Sequence, residues 1–284
     1  MESVNRLCFD RITVEGVSRA AHETWFRIHP PGLAFDVGRG DPALSAASDI
    51  FLSHAHLDHA LGLPFVLSMR TQQGKPSTRV LCPREIVEPL ARLIQVSEEL
   101  ENVKYDYEIS GLGSGDSIAV GKDLEVEAFS IDHRVPSLGF HLWQTTSKLR
   151  PEYSRLAKDD LLELKRKGAS IGTEEKRLWL TYCGDTGPGV FDLDTRIFDS
   201  SYLILECTFV GAAHRDLSRE YGHMHLQDIA ARKDLFRNDE LILHHWSTRY
   251  DCSTIRGEVR RNLQGIFPRV HLLGCGWESG EEVS

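Results

Sequence analysis

Residues 51–59 read FLSHAHLDH and carry four side chains that commonly bind metal ions, namely His54, His56, Asp58 and His59. Alternate residues of an extended chain face the same side, so His54, His56 and Asp58 can converge. His59 joins them if the chain turns into the helix that follows. Imidazole nitrogens and carboxylate oxygens are ligands that zinc favours. Because four such ligands are too many for one tetrahedral ion that also recruits distant residues, the motif predicts a site for two ions rather than an exposed polar loop.

The length and composition are those of an ordinary globular protein, and we expect a single domain over residues 1–284. Of the 284 residues, 41% are hydrophobic and 26% are charged. No apolar run reaches the roughly 18 residues of a membrane-spanning helix, and the N-terminus lacks the features of a secretory signal. We therefore expect a cytoplasmic protein with no membrane partner. The net charge of −9 argues against indiscriminate coating of nucleic acid, but a local basic patch can still bind RNA.

The six cysteines are widely separated, and no two of them form a C-x-x-C pair. This spacing argues against a zinc ribbon and against thioredoxin-type chemistry. Several of the cysteines lie in apolar runs. We expect them to be buried free thiols of a protein in a reducing compartment.

The hydrophobic pattern alternates between strand and helix periods in both halves of the chain. Strands are predicted at 7–14, 24–28, 33–37, 50–53, 80–82, 105–109, 117–120, 124–131, 138–145, 178–183, 202–206, 240–244 and 269–273. Helices are predicted at 60–69, 83–100, 154–167, 226–236 and 253–263. The glycine-rich segment 111–116 is not followed by the Gly-Lys-Ser/Thr and helix of a phosphate loop, so we interpret it as a hairpin turn. The order of elements predicts sheets covered by helices.

The chain resembles the metallo-β-lactamase superfamily and, within it, short-form ribonuclease Z of the plant type, a tRNA 3′-processing endonuclease. The resemblance runs from about residue 14 to residue 267 and includes HET at 22–24, FDVGR at 35–39, DHRVPSLGF at 132–140, GDT at 184–186, ECTF at 206–209, YGHMH at 221–225 and HWSTRY at 245–250. The histidine motif and GDT are typical of the superfamily, and the later segments are more specific to ribonuclease Z. The resemblance implies an α/β fold of the α+β type, an αββα sandwich in which helices flank two mixed β-sheets.

Three further ligand-type residues follow predicted strands, where loop residues gather into sites, namely His133, Asp185 and His245. The resemblance implies that they complete a site for two Zn²⁺ ions, although Mn²⁺ or another divalent ion would suit the same ligands. In this interpretation one ion is held by His54, His56 and His133, the other by Asp58, His59 and His245, and both by Asp185. His244 competes with His245, because neighbours on a strand face opposite sides and normally only one can bind.

The same resemblance assigns catalytic roles. His223 aligns with the proton donor of the family, and Glu206 with the carboxylate that orients it. Asp58 is expected to serve as a base towards a metal-bridging hydroxide as well as a ligand. The alternatives are a helix-capping or surface histidine for His223 and a structural carboxylate for Glu206.

Two flanking residues complete the expected site. Asp36 occupies the Asp-x-Gly position that braces the histidine loop in the superfamily. Arg249 has the planar fork to bind a phosphate, although a structural ion pair would explain it equally well. The sequence leaves the role of His225 open.

The expected activity is zinc-dependent cleavage of the 3′ trailer of precursor tRNA, by an enzyme that forms a homodimer as the family does. The long Gly/Pro-rich arm by which many relatives grip tRNA is missing, and a stretch rich in Lys and Arg replaces it at 148–179. The alternatives are another hydrolase of this fold acting on a small phosphodiester or thioester, a di-iron redox protein and a catalytically inactive RNA-binding scaffold. His56 argues against the di-iron protein, because such relatives carry glutamate there, and the intact ligand set argues against the scaffold.

Overall fold

The fold is built from two seven-stranded sheets, seen in a computed structural model that describes residues 4–154 and 156–275. Arg155 and the side chain of Lys165, both in the basic stretch, lie outside the described residues. The first sheet contains β1 (Asn5–Cys8), β2 (Thr13–Arg19), β3 (Glu23–His29), β4 (Leu33–Phe35), β5 (Asp49–Phe51), β6 (Thr78–Pro83) and β7 (Tyr107–Leu112) in that order. β1 to β4 pair antiparallel, and β4 to β7 pair parallel.

The second sheet has the same arrangement, with four antiparallel strands followed by a parallel set. It contains β8 (Ser117–Ala119), β9 (Leu124–Ser130), β10 (Leu138–Leu149), β11 (Gly172–Tyr182), β12 (Tyr202–Glu206), β13 (Glu240–His244) and β14 (Val270–Leu272), again side by side in chain order. β8 to β11 pair antiparallel, and β11 to β14 pair parallel. In both sheets the parallel strands bring their carboxyl ends to one edge, which is where loop residues can form a site.

Helices occur between the strands, and most of them lie in the parallel halves of the sheets. They are α1 (Leu57–Ala60), α2 (Leu63–Gln72), α3 (Val87–Glu101), α4 (Lys158–Arg166), α5 (Val190–Leu193), α6 (Arg215–Tyr221), α7 (Leu226–Ala230) and α8 (Cys252–Asn262). Among the described residues, no helix has the length and apolar character that crossing a bilayer requires.

Three buried clusters hold the layers together. Between the sheets, Phe35 of β4 stacks on Phe140 of β10 and on Tyr182 of β11, with ring centroids 5.8 and 4.9 Å apart. The outer face of the first sheet is covered by α2 and α3, and that of the second by α5, α7 and α8. Stacked sheets with helices on both outer faces confirm the predicted αββα sandwich.

Three local predictions were wrong. The strand predicted at 7–14 is two antiparallel strands, β1 and β2, with a turn between them. Segment 111–116 is not a hairpin turn, because β7 pairs with β6 in the first sheet whereas β8 pairs with β9 in the second. The segment is instead the crossover between the sheets. The helix predicted at 226–236 ends at Ala230 and continues only as a short 3₁₀ turn.

The expectation of buried free thiols holds for Cys82, Cys183 and Cys207 but not for the other three cysteines. Cys8 is exposed, and Cys252 forms a disulfide with Cys275. This bond joins the first residue of α8 to the turn after β14. The two cysteines are 23 positions apart, so only the folded chain brings them together.

Candidate metal and catalytic site

The histidine loop leaves β5 at the carboxyl edge of the first sheet and is held there by the buried carboxylate of Asp36. One oxygen of Asp36 accepts the backbone N–H of Ser53 at 2.7 Å. The other accepts from the Ser53 hydroxyl at 2.8 Å, from Nδ1 of His59 at 2.8 Å and from the Tyr182 hydroxyl. Asp36 has a left-handed backbone with φ of 54°, a conformation that aspartate tolerates better than most residues. The carboxylate thus ties the loop to both sheets.

Two groups of candidate metal ligands, called the first and second ligand groups below, meet at this site, and the first contains His54, His56 and His133. Nε2 of His54 and Nε2 of His133 lie 3.0 and 3.4 Å from Nδ1 of His56. The opposite ring nitrogens of His54 and His133 are held by the Ser53 hydroxyl at 2.9 Å and by the carbonyl of Gly222 at 3.1 Å. Anchoring Nδ1 in this way leaves Nε2 free to bind a metal.

The second ligand group contains Asp58, His59 and His245. Oδ2 of Asp58 lies 3.9 Å from Nε2 of His59 and 3.6 Å from Nε2 of His245. Burial disfavours ionisation of Asp58, but the neighbouring imidazoles of His245 and His59 outweigh burial and lower the carboxyl pKa to about 2. The second group therefore offers one carboxylate and two imidazoles.

Asp185 lies between the two groups. Its Oδ2 is 3.7 Å from Nε2 of His54 in the first group. The same oxygen is 3.2 Å from Nε2 of His59 and 3.4 Å from Nε2 of His245 in the second. A single carboxylate thus faces both groups.

The donor set and its unpaired atoms fit divalent metal ions. Nε2 of His59, Nε2 of His245 and Oδ1 of Asp185 are buried without a hydrogen-bond partner. Buried polar atoms are almost always paired, and a cation would satisfy these three. Nitrogen and carboxylate oxygen donors are those of zinc and similar divalent ions. The loops therefore form a divalent-metal site.

His223 lies beside the ligands and is paired with Glu206 at the end of β12. Nδ1 of His223 is 2.7 Å from Oε1 of Glu206, and the glutamate side chain is fully buried. Burial disfavours the imidazolium, but the adjacent carboxylate outweighs this and raises the pKa of His223 to about 9. Candidate ligand atoms of His223, Glu206, Asp185 and His245 lie within 4.8 Å of one another, so the pair adjoins the metal site.

The structure separates the histidines whose roles the sequence left open. His245 has a left-handed backbone, with φ of 65°, and its ring lies in the second ligand group. The ring of His244 is buried against β2, where Nδ1 lies 2.9 Å from the Ser18 hydroxyl. His225 caps α7, because its Nδ1 accepts the backbone N–H of Gln227 at 3.1 Å. The structure thus brings all seven predicted ligands together and leaves His244 and His225 outside the groups.

A cavity of about 560 Å³ adjoins the ligands and includes Arg249 and Arg134 in its wall. Arg249 is exposed and has one guanidinium nitrogen 3.2 Å from the Ser247 hydroxyl. The aliphatic part of the Arg134 side chain packs closely against Gly222. A Cβ atom added to Gly222 would lie 2.9 Å from Cγ of Arg134. Arg134 directly follows the candidate ligand His133, but no motif in the sequence predicted a role for it.

Two hydrogen-bonding residues of the site were also missed. The hydroxyl of Tyr182, on the opposite sheet, donates a hydrogen bond to Asp36, and no local sequence pattern predicts this contact. Thr208 contacts both Glu206 and His245, and its only signal was its place in the Glu-x-Thr segment.

Comparison with known proteins places this geometry in a family. The sequence model described as the Beta-lactamase superfamily domain matches residues 35–246, and the chain therefore belongs to that superfamily. It resembles tRNase Z TRZ1 of Arabidopsis thaliana, with 29% identity over 98% of this chain and 100% of the relative. It is 31% identical to a nuclear ribonuclease Z of Triticum aestivum, over 58% of this chain and 94% of the relative. Within the superfamily, the chain belongs to the ribonuclease Z family and is a metal-dependent hydrolase of that type.

Solved structures show the same fold. The crystal structure of human short-form tRNase Z has a TM-score of 0.54 and 21% identity, over 91% of this chain and 88% of that chain. The metallo-beta-lactamase fold protein YhfI of Bacillus subtilis has a TM-score of 0.63 and 14% identity, over 96% of this chain and 99% of that chain.

Proposed function

We propose that this protein is an endoribonuclease that removes the 3′ trailer of precursor tRNA with the help of two zinc-type ions. The observation that carries the proposal is the His223–Glu206 pair beside the metal ligands, in a chain that resembles tRNase Z TRZ1 over almost its whole length. A histidine that is not needed as a ligand suits a reaction whose leaving group requires a proton. A ribose oxygen is such a leaving group.

The ligand groups support two ions held as the resemblance implies. His54, His56 and His133 would hold one ion, Asp58, His59 and His245 the other, and Asp185 would contact both. When bound, such a pair of ions would activate a water molecule and neutralise charge on the reacting phosphate.

The remaining chemistry is assigned to side chains of the chain. His223 holds a proton on its outer nitrogen while Nδ1 is bound to Glu206, and it delivers this proton to the leaving ribose oxygen. Glu206 fixes the ring orientation and favours the imidazolium. Asp58 is ionised and lies beside the site, so it can act as the base towards the attacking water. Arg249 lines the cavity, and its guanidinium would bind a phosphate of the RNA.

RNA would be bound partly by an arm that extends β10 and β11. Within the described residues, β9 pairs with β10 only as far as Gln144, and beyond that point the two arm strands pair with each other. The segment that connects these two strands contains helix α4, which exposes Lys158 and Arg166, and Lys167 is exposed directly after the helix. Basic side chains on a projecting arm suit RNA phosphates in an otherwise acidic protein.

A homodimer is proposed from an apolar stripe beside the histidine loop. Leu57 in α1, Leu61 directly after α1 and Phe65 in α2 are 67%, 48% and 51% exposed and follow one another at intervals of four residues. A contiguous exposed apolar patch often marks an interface. A second copy is the occupant that the family resemblance favours.

We propose that the protein acts in the cytoplasm. In that compartment, thiol-reducing systems would act on the Cys252–Cys275 disulfide.

The test is to incubate the purified protein with a 3′-extended precursor tRNA and with a chromogenic phosphodiester, each with and without a chelator. The proposal expects endonucleolytic trailer release that the chelator abolishes. Cleavage of the small diester alone would instead indicate a small-molecule phosphodiesterase.

A further inference from the structure

Thr208 is buried between the metal ligands and the proton donor, directly beyond the end of β12. Its side chain is among the buried polar groups, with the residue 3% exposed. Its backbone N–H donates to Oε2 of Glu206 at 3.1 Å, and its carbonyl accepts the N–H of Ser247 at 3.0 Å. Both backbone hydrogen-bonding groups of Thr208 therefore have partners, and its hydroxyl can bind other residues of the site.

The hydroxyl contacts two functional residues at once. It donates to Oε2 of Glu206 at 2.6 Å, and the hydroxyl oxygen of Thr208 itself lies 2.9 Å from Nδ1 of His245. An ionised carboxylate can only accept hydrogen bonds, so the hydroxyl proton points towards Glu206. The oxygen must then accept from His245, which places a proton on Nδ1 of that ring. Nε2 is left bare, and this is the atom that faces Asp58 and Asp185.

The Thr208 hydroxyl is one of the hydrogen-bond donors that hold the carboxylate of Glu206 in place. Its Oε1 accepts from the N–H of Thr186 at 2.9 Å and from Nδ1 of His223 at 2.7 Å. Among the described residues, Thr208 gives Oε2 two hydrogen bonds, one from its backbone N–H and one from its side-chain hydroxyl. The orientation of the carboxylate that binds His223 thus depends on the residue that also holds a metal ligand.

We propose that Thr208 is a positioning residue that couples the second metal group to the His223–Glu206 pair, an inference that rests on the proposed metal site. It selects the tautomer of His245 that can bind an ion through Nε2, and it fixes the rotamer of Glu206. Hydrogen-bond partners of ligating histidines commonly raise metal affinity in this way.

A matched control exists elsewhere in the second sheet. Thr181 of β11 is fully buried, and its hydroxyl lies 2.8 Å from Nδ1 of His141. His141 belongs to none of the candidate ligand groups among the described residues. Thr181→Val therefore removes the same kind of hydrogen bond from a buried histidine without touching the site.

The first experiment measures divalent-ion affinity by competition with a fluorescent chelator, using Zn²⁺ alone. Thr208→Val should weaken binding of one ion by about 10–100-fold, whereas Thr208→Ser and Thr181→Val should bind as the wild type does. At saturating Zn²⁺, Thr208→Val should also lower kcat on precursor RNA more than kcat on an aryl phosphodiester, because Glu206 loses its fixed rotamer. Wild-type affinity together with an unchanged ratio of the two kcat values would overturn the proposal.

The second experiment does not depend on a substitution that the fold must tolerate. Nitrogen-15 NMR of the metal-free wild-type protein should show His245 as the tautomer protonated at Nδ1. The opposite tautomer would also overturn the proposal. If the wild type bound no divalent ion but His245 showed the expected tautomer, the proposed metal function would fail while the role of Thr208 in fixing the ring would stand.

Discussion

Nδ1 of His223 lies 2.7 Å from a fully buried carboxylate oxygen of Glu206, and the histidine ring adjoins those of His133 and His245. The pair lies next to the candidate metal ligands, but the proposed two-ion site is complete without it. This separation allows proton donation and metal binding to be tested independently.

Removing the imidazole of His223 should slow RNA cleavage without changing metal content. General acid catalysis is worth about 10²–10⁴ in rate, so His223→Ala should lose roughly that factor in kcat on precursor tRNA. An aryl phosphodiester releases a phenolate that needs no proton and should be affected much less. Substitution of the exposed His22 by alanine is the control. A fall in metal occupancy, or equal slowing of both substrates, would show that His223 is not the proton donor.

Removing the carboxylate that faces both ligand groups should reduce the number of bound ions. Asp185 lies within 3.7 Å of ligand atoms in both groups. We expect native mass spectrometry to find two ions per wild-type chain and fewer in Asp185→Ala. Asp192→Ala, which changes an exposed carboxylate, should keep both ions. One tightly held ion in the wild type, unchanged by Asp185→Ala, would rule out a shared site.

Charge reversal on the arm should weaken RNA binding and spare small substrates. Arg166 and Lys167 are exposed at the carboxyl end of α4. Each contact between a basic side chain and an RNA phosphate releases counterions, so losing such contacts should make RNA affinity less dependent on salt. The double substitution Arg166→Glu and Lys167→Glu should therefore raise KM for precursor tRNA and leave KM for an aryl phosphodiester unchanged. The matched control reverses Arg260 and Arg261, two exposed cations in the last turn of α8. An equal rise of KM for precursor tRNA in both double variants would show that RNA binding depends on the net charge of the protein and not on the arm.

The disulfide should stabilise the oxidised protein. It closes a loop over 23 positions between Cys252 and Cys275, and a loop of that length contributes about 3 kcal/mol through restriction of the unfolded chain. Cys252→Ser should lower the free energy of unfolding by this amount under oxidising conditions and make no difference under reducing ones. Cys8→Ser, at an exposed free thiol, is the control. Thiol alkylation of the wild type that labels all six cysteines without a reductant would contradict the bond.

The ion pair at Asp194 should make stability fall in acid. Burial raises the pKa of this carboxyl, but hydrogen bonds from His141 and Arg196 outweigh it and hold the pKa well below the ordinary value. A depressed carboxyl pKa stabilises the folded state above the unfolded value of about 3.9, and the contribution is lost as the pH falls further. Wild type should thus exceed Asp194→Asn in stability at pH 6, and the difference should shrink by about 1 kcal/mol at pH 3. Urea unfolding at the two pH values measures it, and a constant difference would refute the assignment.

The sequence by itself determined the local part of the site. His54, His56, Asp58 and His59 lie within six residues, so the alternation of a short extended segment and the turn into α1 fix their relation. The αββα architecture followed from the resemblance that the motifs carry, and the structure and comparisons confirm it.

Only the tertiary structure decided the contacts between segments far apart in the chain. Strand periodicity does not say which strands become neighbours, so segment 111–116 looked like a hairpin although it connects two sheets. The same limit hid the Tyr182–Asp36 contact, the Cys252–Cys275 bond and the position of Thr208 between Glu206 and His245. Each of these depends on how the sheets pack and on the register of their strands. Those are set by burial of the whole core rather than by any local pattern.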